Sequence, residues 1–167
     1  VVLGLNHKTA SVDVRECFTF SEEQIKMSLN HLHEYEEISE CVLVSTCNRT
    51  EMYAVVDDAE DGLQVMQHFL QRMSETPIDI EDFFFYAEEA CIEHLFRVAS
   101  SLDSLIIGEG QILSQVKKAY SIARDVGTTS TVLNTLFHRA IAVGKKVRAE
   151  TRIAHSTVAV SYAAVEL

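Results

Sequence analysis

The period of the apolar residues changes once along this chain, near Glu88, and that change constrains the fold more than any other feature. Before it, apolar residues come as short β-branched or aromatic runs at 1–5, 41–44, 51–56 and 83–86, which read as four strands. Two amphipathic stretches lie between them. One opens with the capping-box form Ser21-Glu22-Glu23-Gln24 and carries Ile25, Leu29 and Leu32; the other carries Leu63, Met66, Phe69, Leu70 and Met73 and breaks near Pro77. The order β-α-β-β-α-β predicts an α+β fold, a small antiparallel sheet with helices on one face, over residues 1–87. From Glu88 onward the spacing is helical. Ile92, Leu95, Phe96, Ala99 and Leu102 mark one helix, Ile112, Val116, Ala119, Tyr120 and Ala123 a second ending at Gly127, and Leu133, Leu136, Phe137, Ala140, Ile141, Gly144 and Val147 a third. This predicts a helical part of the same domain over 88–150. Residues 151–167 read as the start of a linker or a next domain, helical in pattern from Thr157 and stopping at Ala163-Ala164-Val165-Glu166-Leu167 without a C-terminal cap.

A length of 167 residues, 47% of them hydrophobic and 23% charged, excludes a disordered chain and a marginal miniprotein. No apolar run approaches the roughly 20 residues of a membrane span. The opening Val1-Val2-Leu3-Gly4-Leu5 lacks the basic flank and cleavage site of a secretory signal, so the expected compartment is the cytoplasm, away from membranes. The net charge of −11 hides an asymmetry. Residues 1–90 carry 5 Lys and Arg against 19 Asp and Glu, and residues 91–167 carry 9 against 6, so a polyanionic partner is expected on the second half alone.

Among side chains able to do chemistry, Cys47 stands out. It lies just past an apolar strand in the connection Ser45-Thr46-Cys47-Asn48-Arg49-Thr50, where a thiol is held yet accessible. Arg49 can lower the thiol pKa or grip a substrate carboxylate through its planar donor fork. On position alone, a small buried Cys47 and a surface ion pair at Arg49 account for both residues equally well. Cys17, Cys41 and Cys91 sit beside apolar neighbours and read as core, and with no Cys-x-x-Cys spacing no metal site is expected. His31 and His33 lie on an acidic, solvated stretch. His7 follows a strand directly and is placed to line a pocket; His94, between apolar neighbours on a helix, reads more readily as a hydrogen-bonded, half-buried residue. Gly108-Glu109-Gly110 lacks the third glycine and the preceding strand of a dinucleotide loop and reads as a helix start. His138, Lys145 and Arg152, seven apart, project from one face if the third helix runs that far, a face able to meet phosphates or simply to be solvated.

Three segments taken together carry a family resemblance: Gly4-Leu5-Asn6-His7-Lys8-Thr9-Ala10, Ser45-Thr46-Cys47-Asn48-Arg49-Thr50-Glu51, and His94 through Ser104 continuing into Gly108-Glu109-Gly110-Gln111-Ile112-Leu113. In this order they closely resemble the N-terminal catalytic domain of glutamyl-tRNA reductases. The resemblance implies an NADPH-dependent oxidoreductase that converts glutamyl-tRNA to glutamate-1-semialdehyde for tetrapyrrole (porphyrin) biosynthesis. It implies Cys47 as the nucleophile forming a thioester, Arg49 as the holder of the substrate carboxylate, and His94 in a general acid/base or positioning role. Asn6, His7, Thr46, Ser104 and Gln111 match positions that bind or orient substrate. The NADPH-binding part and the part forming a homodimer would follow residue 167, so no cofactor site is expected within this chain. The family often shows proline where this chain has Ser11 and Gly110, a difference in loop rigidity rather than in chemistry. A cysteine-dependent acyltransferase or thioesterase would use the same Cys47 and His94 without a carboxylate clamp, and a non-catalytic RNA-binding module would leave Cys47 buried and inert.

Overall fold

The computed structural model describes residues 1–74 and 78–153; the expected break at Pro77 and the helical pattern from Thr157 lie outside the described residues. The elements are β1 (Val2–Asn6), α1 (Val12–Cys17), α2 (Glu22–Leu32), β2 (Ile38–Thr46), β3 (Arg49–Val56), α3 (Ala59–Met73), β4 (Phe84–Tyr86), α4 (Glu88–Ala99), α5 (Gln111–Val126) and α6 (Thr131–Glu150). The four strands form one antiparallel sheet in the order β2-β3-β1-β4, the arrangement a split βαβ plan requires. Helix α2 starts at Ser21 with the full capping box, and Ile25, Leu29 and Leu32 are buried on its inner face. Helix α1 is a finding of the structure: only six residues long and burying none of them, it has no apolar periodicity to announce it.

Strand alternation sorts the sheet into two faces, because directly paired residues point the same way. Leu3, Leu5, Cys41, Leu43, Thr50, Met52 and Ala54 face α2 and α3, where the Cys41 thiol meets the Leu29 carbonyl and the Thr50 hydroxyl meets the Phe18 carbonyl. Gly4, Asn6, Thr46, Arg49, Glu51 and Tyr53 face the other way, and the helices of the second half cover them. Tyr53 packs edge-on against Phe137 of α6, with ring centroids 5.4 Å apart. Every residue of β1 is buried, since both faces of that strand are covered.

Two polar contacts fasten the helical half to the edge strand β2. Thr128, just beyond α5, exchanges hydrogen bonds with both backbone groups of Cys41. The Glu40 carboxylate accepts from the backbone N–H groups of Ser130, Val132 and Leu133, at 2.8, 3.0 and 2.8 Å. It thereby supplies the cap that α6 lacks from its own sequence and places negative charge at the positive end of that helix.

Several expectations change. Ile92 and Leu102 do not mark the buried stripe of α4: Ile92 is 46% exposed, and Leu102 lies past the end of the helix at Ala99. The inner face of α4 is Cys91, His94, Leu95, Val98 and Ala99. Cys17 is exposed rather than core, because α1 is too short to dock a face of its own. Helix α6 stops at Glu150, so Arg152 lies beyond it, and His138 packs edge-on against Tyr120.

Helices α4, α5 and α6 meet at Gly144, where a Cβ would stand 2.4 Å from the carbonyl oxygen of Ala99 and 3.1 Å from the Leu113 side chain. Gly144→Ala is expected to lower the unfolding free energy by about 1–3 kcal/mol in urea titrations, although alanine is the better helix former, because the helix backbones must part to admit the methyl group.

Candidate active site

The connection between β2 and β3 is shorter than the apolar runs imply. The strands extend to Thr46 and resume at Arg49, leaving Cys47 and Asn48 as a two-residue turn. The Thr46 hydroxyl accepts from the backbone N–H groups of Asn48 and Arg49, both at 3.2 Å, and closes the turn locally. The Asn48 carbonyl accepts from the His7 N–H at 3.2 Å, pinning the turn to the end of β1. Cys47 therefore sits exposed at the tip of a hairpin whose base is buried.

Beneath that tip lies a cluster of charge. Arg49 is 2% exposed and Glu51 fully buried. The Arg49 Nη1 donates to Glu51 Oε1 at 2.6 Å and to Asp103 Oδ2 at 3.3 Å, and Nη2 donates to the Asp103 backbone carbonyl. Glu51 Oε2 accepts from the Tyr53 hydroxyl at 2.6 Å, and Oε1 lies 3.0 Å from His94 Nε2. Lys8 pairs with the outer oxygen of Asp103. The whole set depends on Gly4: a Cβ there would meet Glu51 Cγ at 2.9 Å and the Phe84 ring at 3.0 Å, so the missing side chain leaves the space through which Glu51 crosses β1.

Burial, the largest single influence on Glu51, favours its neutral form. Arg49, His94 and Tyr53 together outweigh burial and hold the carboxyl at about 2. Burial and then the Arg49 charge push the His7 imidazole below its usual range, and its Nδ1 is buried without a hydrogen-bond partner. Burial raises the Cys41 thiol to about 12 and raises Cys91 as well.

The expected site residues collect around two depressions. Thr46, Cys47, Arg49, Ser104 and Gln111 line a small one of about 60 Å³. Asn6 and His94 line a neighbouring one of about 480 Å³, together with Lys8, Thr9 and Asp103. The bonded pair Arg49 and Asp103 joins them, one residue lining each. His7 lines neither and sits under the turn through its backbone. The 101–110 loop closes the small depression, held by the bonds from Ser101 Oγ to the Glu109 carbonyl (2.6 Å) and from Gly108 N–H to the Ser101 carbonyl (3.0 Å). A larger apolar groove of about 670 Å³, lined by Val1, Val55, Cys91, Phe96 and Leu136 among others, contains none of the expected residues.

Four participants, Glu51, Tyr53, Asp103 and Lys8, are not among the residues expected from the sequence. Glu51 and Tyr53 carry a usable signal, since positions two and four beyond Arg49 in a strand share its face. Asp103 carries none, because its contact with Arg49 spans 54 positions. Among the described residues no cluster of three or more His, Cys, Asp or Glu is arranged to hold a metal ion, and no helix is long and apolar enough to cross a membrane.

Residues 3–151 match the family described as "Glutamyl-tRNAGlu reductase, N-terminal domain". The chain is 45% identical to the glutamyl-tRNA reductase of Desulfatibacillum aliphaticivorans and 49% identical to that of Pelotomaculum thermopropionicum, matched over its whole length but over only 39% and 38% of theirs. The solved glutamyl-tRNA reductase from Methanopyrus kandleri superposes with a TM-score of 0.76 at 37% identity, over 99% of this chain and 38% of that one. The chain thus spans about two fifths of the length of these relatives.

Two measurements probe the site. Iodoacetamide on the native protein, read by peptide mass spectrometry, is expected to modify Cys47 and the likewise exposed Cys17 and to spare Cys41 and Cys91. Glu51 has a folded pKa below its unfolded value, so its ionised form stabilises the fold fully above about pH 4.5, and that contribution fades as pH falls toward 2. Glu51→Gln is expected to cost about 3–5 kcal/mol at neutral pH, because the buried Arg49 is left with Asp103 as its one carboxylate, and to flatten the acid limb of stability against pH in denaturant titrations.

Proposed function

The chain belongs to the glutamyl-tRNA reductase family through that family's N-terminal domain, and from that premise we propose that it receives the glutamyl ester of tRNA and transfers the acyl group to Cys47. The observation that carries this reading is the exposed thiol on a pinned two-residue turn, lining one depression with a buried arginine. The Cys47 thiolate attacks the ester carbonyl, the carbon–oxygen bond to the terminal ribose breaks, and the departing oxygen takes up a proton, leaving a cysteinyl thioester. A thioester is less resonance-stabilised than the oxygen ester it replaces, so its carbonyl is the better hydride acceptor and the thiolate a competent leaving group.

Arg49 holds the substrate carboxylate. Three of its five N–H groups are taken by Glu51 and Asp103, and the two without a partner among the described residues remain for a ligand in the Cys47 depression. Thr46, Ser104 and Gln111 line the same depression and orient the ester; Asn6 shapes the loop after β1, its side-chain oxygen accepting from the Lys8 N–H at 2.8 Å. His7 supports the turn. Glu51 engages His94 at Nε2, which leaves the other ring nitrogen for proton transfer or positioning.

The described residues do not fit a nicotinamide cofactor. Their sheet is wholly antiparallel, and Gly108 and Gly110 follow a turn after α4 instead of the end of a strand. Reduction of the thioester to glutamate-1-semialdehyde with NADPH, on the route to tetrapyrroles, is therefore proposed to need the further length that the relatives have outside the match, and a homodimer contact is proposed to lie there too. The cytoplasm is the compartment proposed for it.

Incubated with glutamyl-tRNA, the chain is expected to release free glutamate and tRNA, with no semialdehyde even when NADPH is added, and Cys47→Ser should suppress the release. NADPH-dependent semialdehyde from the chain alone would overturn the assignment of the cofactor site. Replacing glutamate by glutamine on the tRNA is expected to weaken transition-state binding by roughly 2–4 kcal/mol, through the lost charge-assisted pair. Arg49→Lys, which keeps a cation beside Glu51 but loses the fork, should shrink that preference in single-turnover assays.

A further inference from the structure

Charge is segregated on this molecule along structural lines. Residues 1–110 carry 6 Lys and Arg against 22 Asp and Glu, whereas residues 111–153, the α5 and α6 hairpin with its short extension, carry 8 against 2. The two helices run antiparallel: Gly110 faces Arg148, Leu113 faces Gly144, and Tyr120 stacks on Phe137. One end of the hairpin is therefore the start of α5 with the end of α6, and that end adjoins Cys47. Gln111 and Gln115 of α5 line the Cys47 depression, and Arg148 of α6 donates to the Gly108 carbonyl of the loop that closes it.

Several of the hairpin cations are already engaged. Lys118 pairs with Glu22, Lys146 with Glu150, and Arg124 stacks over Tyr120. Lys117, Lys145 and Arg152 have no ion-pair or hydrogen-bond partner among the described residues, and the last two are exposed. We propose that the α5 and α6 hairpin is the surface on which the RNA backbone lies, with phosphates meeting Lys117, Lys145 and Arg152 and the esterified 3′ end reaching Cys47 past the start of α5. This rests on the reading of Cys47 as the acceptor of a tRNA ester and adds the direction of approach. The remainder of the described surface repels a polyanion, so the hairpin both attracts the strand and excludes other orientations.

The test uses uncharged tRNA, so that binding is read apart from the Cys47 chemistry. Lys117→Gln, Lys145→Gln and Arg152→Gln, singly and together, are compared with Arg72→Gln on the exposed side of α3, on the opposite face of the sheet. Each hairpin substitution is expected to weaken binding roughly tenfold at about 0.1 M salt and to reduce the slope of log affinity against log salt by about one. Arg72→Gln should change neither. Cleavage of a phosphate-free glutamyl ester of adenosine, followed in parallel, should proceed at the parent rate in all four single variants. Parent-like affinity and slope in the hairpin variants, or equal weakening by Arg72→Gln, would overturn the proposed surface while leaving Cys47 untouched. Failure of the parent chain to cleave the ester would instead count against the Cys47 reading, with the surface still decided by the tRNA slopes.

Discussion

A guanidinium buried between two carboxylates organises this structure. Arg49 is almost wholly buried, so its charge must be met by protein, and Glu51 and Asp103 meet it from different parts of the chain. Glu51 arrives from the same strand, two residues on, while Asp103 arrives from the loop after α4. The ion pairs therefore tie sheet to helical half at the place where Cys47 is presented. Tyr53, His94 and Lys8 complete the set and leave each carboxylate multiply bonded. A cluster of this kind contributes little net stability over a well-packed apolar core, but removing one member is expensive. Its consequence is placement: the hairpin, the 101–110 loop and α4 cannot shift independently without exposing an unpaired charge.

Rigidity below and exposure above divide the labour of the site. The two-residue turn is tied from two sides: Thr46 closes it from inside and the bond from the His7 N–H holds it from β1. Cys47 is thus exposed on a turn tied from two sides, an arrangement that leaves little ordering to do when a side chain at such a position meets a ligand. The neighbouring His94 is held in turn by Glu51 and by the Phe84 and Tyr86 rings, with centroids 4.9 and 5.2 Å away. The Cys47 turn and the His94 ring are thus each held by neighbouring groups within the protein.

The charge distribution gives the same architecture a polarity. An acidic sheet-bearing half and a basic helical hairpin meet beside Cys47, so the charges of the described residues favour a polyanion at the end of the hairpin where the thiol stands. The Glu40 cap on α6 shows the two halves interlocking rather than merely abutting: a carboxylate from the edge strand satisfies the first N–H groups of the longest helix.

Local pattern determined much of this protein. The four strands, the capping box at Ser21, the stop at Gly127 and the change to helical period at Glu88 all follow from interactions within a few residues, and those are legible in a linear sequence. The three separated motifs carry the family resemblance together for the same reason, since each is written in contiguous residues. Helix α1 was illegible because it buries nothing, and the exposure of Cys17 and Ile92 was misjudged because apolar neighbours in sequence do not say which side of a helix finds a partner. Only the tertiary structure decided that Arg49 is buried and already paired, that Cys47 and His94 open onto adjoining depressions, and that α4 to α6 cover the second face of the sheet. Those outcomes depend on contacts between residues 43 to 93 positions apart, such as His94 with Glu51 and Leu133 with Glu40. Long-range pairing of that kind is chosen by the burial of charge and the fit of faces in three dimensions.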